Sequence, residues 1–167
     1  MTPYDQMSNE LRRLAGHTGP TSVIARAIAA DGTTIEAEMV AVDAHGCLVR
    51  AVQATSPRLT GGGVTLLQEW GEALSRRISY LLETLGLLEI DQEQGQVLIR
   101  SNPPDRQGNT TSYYEVLLSE EGPGRFVLRR YETQKGTGGR AATDMQLTHQ
   151  MLARLARDLV ETTPPRP

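Results

Sequence analysis

Four places in the sequence carry residue types that could do chemistry. Asp43-x-His45-x-Cys47 sets a carboxylate, an imidazole and a thiol close together, the ingredients of a cysteine–histidine dyad with an orienting acid. A working dyad needs thiol and imidazole within hydrogen-bond reach. Here the three residues straddle Asp43-Ala44-His45-Gly46, a turn-forming run whose chain reversal scatters their directions. Cys47 reads instead as a small buried residue opening a strand. The second place is Leu59-Thr60-Gly61-Gly62-Gly63-Val64-Thr65, just ahead of a helical pattern, where bare amides and the helix dipole favour a phosphate or carboxylate. No Lys follows the glycines and the G-x-G-x-x-G spacing is missing, so neither nucleotide fingerprint is present. Gly61, Gly62, Gly63 and Thr65 are therefore candidate contacts for a small anionic ligand, with a plain elbow between strand and helix as the alternative.

The third place is basic. Arg125, Arg129, Arg130, Lys135 and Arg140 fall within one strand-and-loop stretch beside Tyr113, Tyr114, Phe126 and Tyr131. Arginines interleaved with aromatics suit an acidic partner or a nucleic acid. Strand alternation, however, puts Phe126, Leu128 and Arg130 on one face and Val127, Arg129 and Tyr131 on the other, so the aromatics are not all exposed. Arginine on an edge strand also guards against sheet-to-sheet aggregation. The fourth place, Glu36 and Glu38, reads as the wet side of a strand. His17 and His149 lie far apart without a ligand-spaced acid, so no metal and no other cofactor is expected.

The whole chain limits what these residues are asked to do. Its 167 residues suit one domain that buries its own core without staples. Its 17 Lys+Arg against 20 Asp+Glu give a net charge of -3, which argues against a strongly basic nucleic-acid binder. The charge is uneven. Residues 96–140 carry seven Lys/Arg against five Asp/Glu, and residues 61–95 carry two against six, which sets up a local basic face. A single cysteine excludes an internal disulfide. No apolar run approaches the roughly 18 residues of a membrane span, and the N-terminus lacks the order of a signal peptide, so a cytoplasmic protein with no membrane partner is expected.

The elements that must position these residues follow from periodicity. Thr2-Pro3 with Asp5 starts a helix over 3–15, and residues 17–22 read as loop. Residues 23–30, 33–42 and 47–53 form a three-stranded meander through Asp31-Gly32 and the turn at 43–46. Thr65-x-x-Gln68 reads as a capping box for a long helix carrying Trp70, Leu74, Ile78, Leu81, Leu82 and Leu85, closed by Gly86. Hairpins follow at 87–91/96–101 and 112–119/125–133 around a polar loop at 102–110. A second glycine-rich loop, 134–140, leads to a last helix capped by Thr143-x-x-Gln146, with Thr148, Met151, Leu152, Leu155 and Leu159 as its apolar stripe. Residues 162–167, rich in proline, read as a disordered tail after a single domain at 1–161.

The expected fold is therefore α+β: about seven antiparallel strands with helices on one face, in the order α-βββ-α-ββββ-α. That order resembles type III secretion chaperones, small acidic dimers that bind partner chains. The resemblance is one of topology and carries over no residues. With no catalytic constellation in view, the expectation is a non-enzymatic interaction module (an adaptor, chaperone-like protein or assembly factor) acting as a homodimer on another protein. Nucleic-acid contact through residues 125–140 and anion binding at residues 60–65 are the alternatives.

Overall fold

The computed structural model describes residues 1–81, 83–102 and 104–165. Helix α1 spans Pro3–Leu14, with Thr2 as the cap that accepts the Asp5 N–H. Strands β1 (Thr18–Ile28), β2 (Thr34–Val42) and β3 (Gly46–Ser56) form the meander, and a short 3-10 turn (Pro57–Leu59) leads into α2 (Gly63–Arg77). Then come β4 (Leu85–Asp91), β5 (Gln96–Ser101), β6 (Asp105–Gln107), β7 (Thr110–Glu120), β8 (Gly124–Gln134), β9 (Ala141–Thr143), β10 (Met145–Thr148) and α3 (His149–Glu161).

All strands join one antiparallel sheet with main order β1-β2-β3-β8-β7-β5-β4. Register alone separates its faces, because residues directly opposite each other point the same way. Ala37↔Val52, Val52↔Leu128, Leu128↔Val116 and Val116↔Ile99 make one continuous buried row. Beside it run Ile35, Ala54, Phe126, Leu118 and Val97. Trp70, Leu67 and Leu74 of α2, Leu152, Leu155 and Leu159 of α3, and Met7 and Leu11 of α1 complete this core. The helices thus cover one face, as the α+β expectation has it, and leave the other face open.

Several elements differ from the sequence reading. The region 17–22 is not loop: Thr18 already pairs with Ala41, and a bulge separates it from the Val23 register. Helix α2 ends at Arg77, not near Gly86. Ile78, Leu81 and Leu85 are buried as expected, but Leu85 is a strand residue opposite Ser101, and Leu82 lies outside the described residues. An apolar spacing of three or four is satisfied equally by chain that dips repeatedly into the core. The Thr65 box does not form either. Gly62 is the cap, and Thr65 sits inside the first turn. At the last helix, Thr143 and Gln146 are claimed by the sheet, opposite Arg130 and Leu48. Thr148 caps α3 instead: its hydroxyl accepts the Met151 N–H, and the Met151 sulfur accepts the Thr148 N–H. Thr148 is exposed rather than part of the stripe. The polar loop contains β6, and β9 and β10 precede α3 where a direct loop-to-helix passage was expected. Thr162, Thr163 and Pro164 are packed rather than disordered, while Arg166 and Pro167 lie outside the described residues.

The two sheet edges are treated differently. At β1, the Gln6 side chain both accepts the Ile28 N–H and donates to its carbonyl, each at 2.8 Å, mimicking a neighbouring strand. One turn later Glu10 stands at Arg26. Its carboxyl is drawn below the ordinary range first by Arg13 and also by the Arg26 backbone N–H. Helix α1 therefore seals this edge against strand addition. No comparable clamp lies on β4 among the described residues.

Candidate functional site

The open face is built from the alternate residues of β5, β7 and β8. Three cross-strand rows run over it. The central row is apolar, Leu98↔Leu117↔Val127. On one side lies Arg100↔Glu115↔Arg129, and on the other Gln96↔Ser119↔Arg125. An apolar trough thus carries arginine on both flanks. Arg140, arriving from the glycine-rich loop, folds over the face and donates to Glu115 Oε1 at 2.9 Å and to the Tyr113 hydroxyl at 3.3 Å. Its guanidinium stacks 3.8 Å from the Tyr131 ring centre.

Glu115 anchors this arrangement. It is only 6 % exposed, and Arg100 approaches it at 3.4 Å beside Arg140. Held this way, the Arg140 guanidinium is kept firmly protonated, chiefly by its hydrogen bond to Glu115. Arg129, directly opposite Glu115, makes no ion pair or hydrogen bond among the described residues. Arg125 shares Gln53 and Glu121. A recess of about 260 Å³ lies among Arg125, Arg129, Arg140 and Tyr131. It adjoins a second, of about 720 Å³, walled by Glu89, Asp91 and Glu93 of the β4–β5 hairpin. Arg140, Glu115, Leu117 and Gln96 belong to both.

The five basic residues singled out in the sequence are therefore divided. Arg125, Arg129 and Arg140 share the open face. Arg130 points to the helix side, where it donates to Glu83 at 2.7 Å, lies over Tyr114 and is only 15 % exposed. Lys135 stands exposed in the loop after β8. Arg100, Glu115, Leu117 and Leu98 escaped the sequence reading, because their meeting depends on the β5–β7–β8 register.

The glycine loop at 61–63 has a packing account. Gly61 and Gly63 adopt positive φ, and a Cβ on Gly62 would stand 2.1 Å from Leu66 Cδ1. The Gly62 and Thr60 amides donate back to Leu59 and Pro57, and Thr65 is exposed on α2. At the Asp43–Cys47 turn, Asp43 Oδ1 accepts the backbone N–H groups of His45 and Gly46, which holds its carboxyl low and spans the turn. Cys47 is buried, and burial, followed by the Asp43 charge, pushes its thiol up to about 11. Its thiolate fraction at pH 8 is accordingly small. Alkylation of the folded chain by iodoacetamide at that pH is expected to run roughly 100-fold slower than in denaturant. Equal rates would show the thiol to be open. Among the described residues no group of three or more His, Cys, Asp or Glu is placed to hold a metal ion, and no helix is long and apolar enough to cross a membrane.

Comparison with protein-family models, curated proteins and solved structures finds no match to this chain.

Proposed function

We propose that this chain is a non-enzymatic protein-interaction module, an adaptor or chaperone-like homodimer of the cytoplasm, which receives a segment of a partner protein on its open sheet face. The observation supporting this most directly is the trough of Leu98, Leu117 and Val127 with arginine on either flank, on a face that no helix covers. The acids and bases of that face are set for contact: a buried carboxylate fixes two guanidiniums and leaves a third unpaired. Self-association has separate support at the far end of the same face, where Ile24 and Ile28 of β1 stand 50 % and 52 % exposed.

The test is to capture partners on the immobilised chain from its native cell and footprint the purified complex with hydroxyl radicals. Protection of Leu98, Leu117 and Tyr131 is the expected result. Protection confined to α2 and α3 would overturn the reading. Light scattering of the free chain is expected to give twice 18.3 kDa, falling to the monomer mass in an Ile24→Glu/Ile28→Glu variant. A monomer at all micromolar concentrations would remove the dimer and leave the partner site standing.

A further inference from the structure

The charges along the trough change sign from one end to the other. Over β8 the flanking groups are Arg125, paired with Glu121, together with Arg129 and Arg140. Over the β4–β5 hairpin they are Glu89, Asp91 and Glu93, with Arg100 and Arg140 at the inner wall paired to Glu115. Between these ends the floor is apolar, as Glu89↔Leu98↔Leu117↔Val127 form one cross-strand row. From β8 to β4 there are three strand spacings of about 4.8 Å, or roughly 14 Å, which an extended chain spans in about four residues.

We infer that the trough selects a partner segment of alternating end charge: a carboxylate side chain over β8, apolar side chains over Leu98 and Leu117, and an ammonium or guanidinium about four residues away over the β4–β5 hairpin. This deepens the interaction-module reading and rests on it. Arg129 supplies the specific attraction, since it faces the trough with no acid of its own among the described residues while Glu115 already holds Arg100 and Arg140. A free phosphate would ignore the apolar floor and the acidic end. A nucleic-acid strand long enough to cross the face would run its phosphates into Glu89, Asp91 and Glu93. A short segment with both signs of charge satisfies both ends.

The probe is a fluorescein-labelled peptide with the core Glu-Leu-Val-Leu-Lys, titrated with the full chain by anisotropy. Inorganic phosphate and a ten-nucleotide thymidine strand serve as comparison ligands. Saturable peptide binding is expected, weakened roughly tenfold or more by Arg129→Gln, and similarly by Glu→Gln or Lys→Gln in the peptide. The Arg129→Glu chain should regain affinity for a peptide carrying Lys in place of its Glu, which a structural role for Arg129 would not produce. Circular dichroism confirms that both variants are folded before binding is read. Peptide binding that Arg129→Gln leaves unchanged, or tighter binding of phosphate or the thymidine strand, overturns the inference. No binding of the peptide at millimolar concentration overturns it too. In each case footprinting of the natural complex still decides separately whether the chain is an interaction module.

Discussion

Replacing Asp158 by Ala is expected to cost about 3–5 kcal/mol, the combined penalty of a buried hydroxyl left without its acceptor and of the void opened beside it. Asp158 is 1 % exposed on α3. Its carboxylate accepts the Tyr80 hydroxyl at 2.9 Å and stands 3.1 Å from the Arg77 Nε and 3.3 Å from the Arg157 Nε. Tyr80 belongs to the segment after α2, so this one side chain ties α2, its exit and α3 together. Burial, followed by the Asp158 charge, drives the Tyr80 hydroxyl well above its ordinary pKa, and it remains a donor throughout the working pH range. Without the carboxylate that hydroxyl is left buried and unpaired, and a void opens beside it. The arginines behave differently. Each is 40 % exposed and each keeps Glu161 as a second partner, so Arg77→Ala should cost only about 1 kcal/mol or less. In a domain of this size the Asp158→Ala loss is a fall in Tm of roughly 6–20 °C. Denaturant melts of both variants check the contrast. Equal losses would show that burial does not set the value of this network.

The sheet shows what the sequence could reveal and what it could not. Strand alternation is local, so the split of Val127, Arg129 and Tyr131 from Phe126, Leu128 and Arg130 is visible in the chain, and the structure bears it out. The consequence is not local. Arg130 meets Glu83, and Arg140 meets Glu115, across separations of 47 and 25 residues, and no spacing rule reaches that far. Helix ends differ from the local pattern for a related reason. Both Thr143-x-x-Gln146 and Thr148-x-x-Met151 offer a threonine with a side chain three residues on, and the sheet decides between them by pairing Thr143 with Arg130 and Gln146 with Leu48. Leu81 and Leu85 continue the helical spacing of α2 and are buried, yet the pairing of Leu85 with Ser101 takes the chain into strand. Local pattern identified which residues enter the core. Tertiary hydrogen bonding determined the backbone form in which they do so.

Trp70 carries the second large expected effect. The ring is fully buried, tilts against Phe126 with centroids 6.1 Å apart, and joins α2 to the middle of the sheet. Trp70→Ala is expected to cost about 3–5 kcal/mol from lost burial and the cavity left behind. The indole has a second role that composition hides. Its N–H donates to the Thr162 hydroxyl at 3.1 Å, and that hydroxyl donates in turn to the Asp158 carbonyl at 2.6 Å. Thr162 begins the stretch that its prolines mark as tail, yet it closes the buried end of the network. Trp70→Phe keeps the aromatic contact and should cost much less than Trp70→Ala. Thr162→Val, which strands the indole N–H in the interior, should cost about 1–3 kcal/mol despite preserving shape. As Trp70 is the single tryptophan, its fluorescence follows the unfolding of the wild-type and Thr162→Val chains, and far-UV circular dichroism follows all four. A Thr162→Val chain as stable as the wild type would mean that the indole N–H finds another acceptor. A loss in the expected range shows that the Thr162 hydroxyl contributes to the folded core.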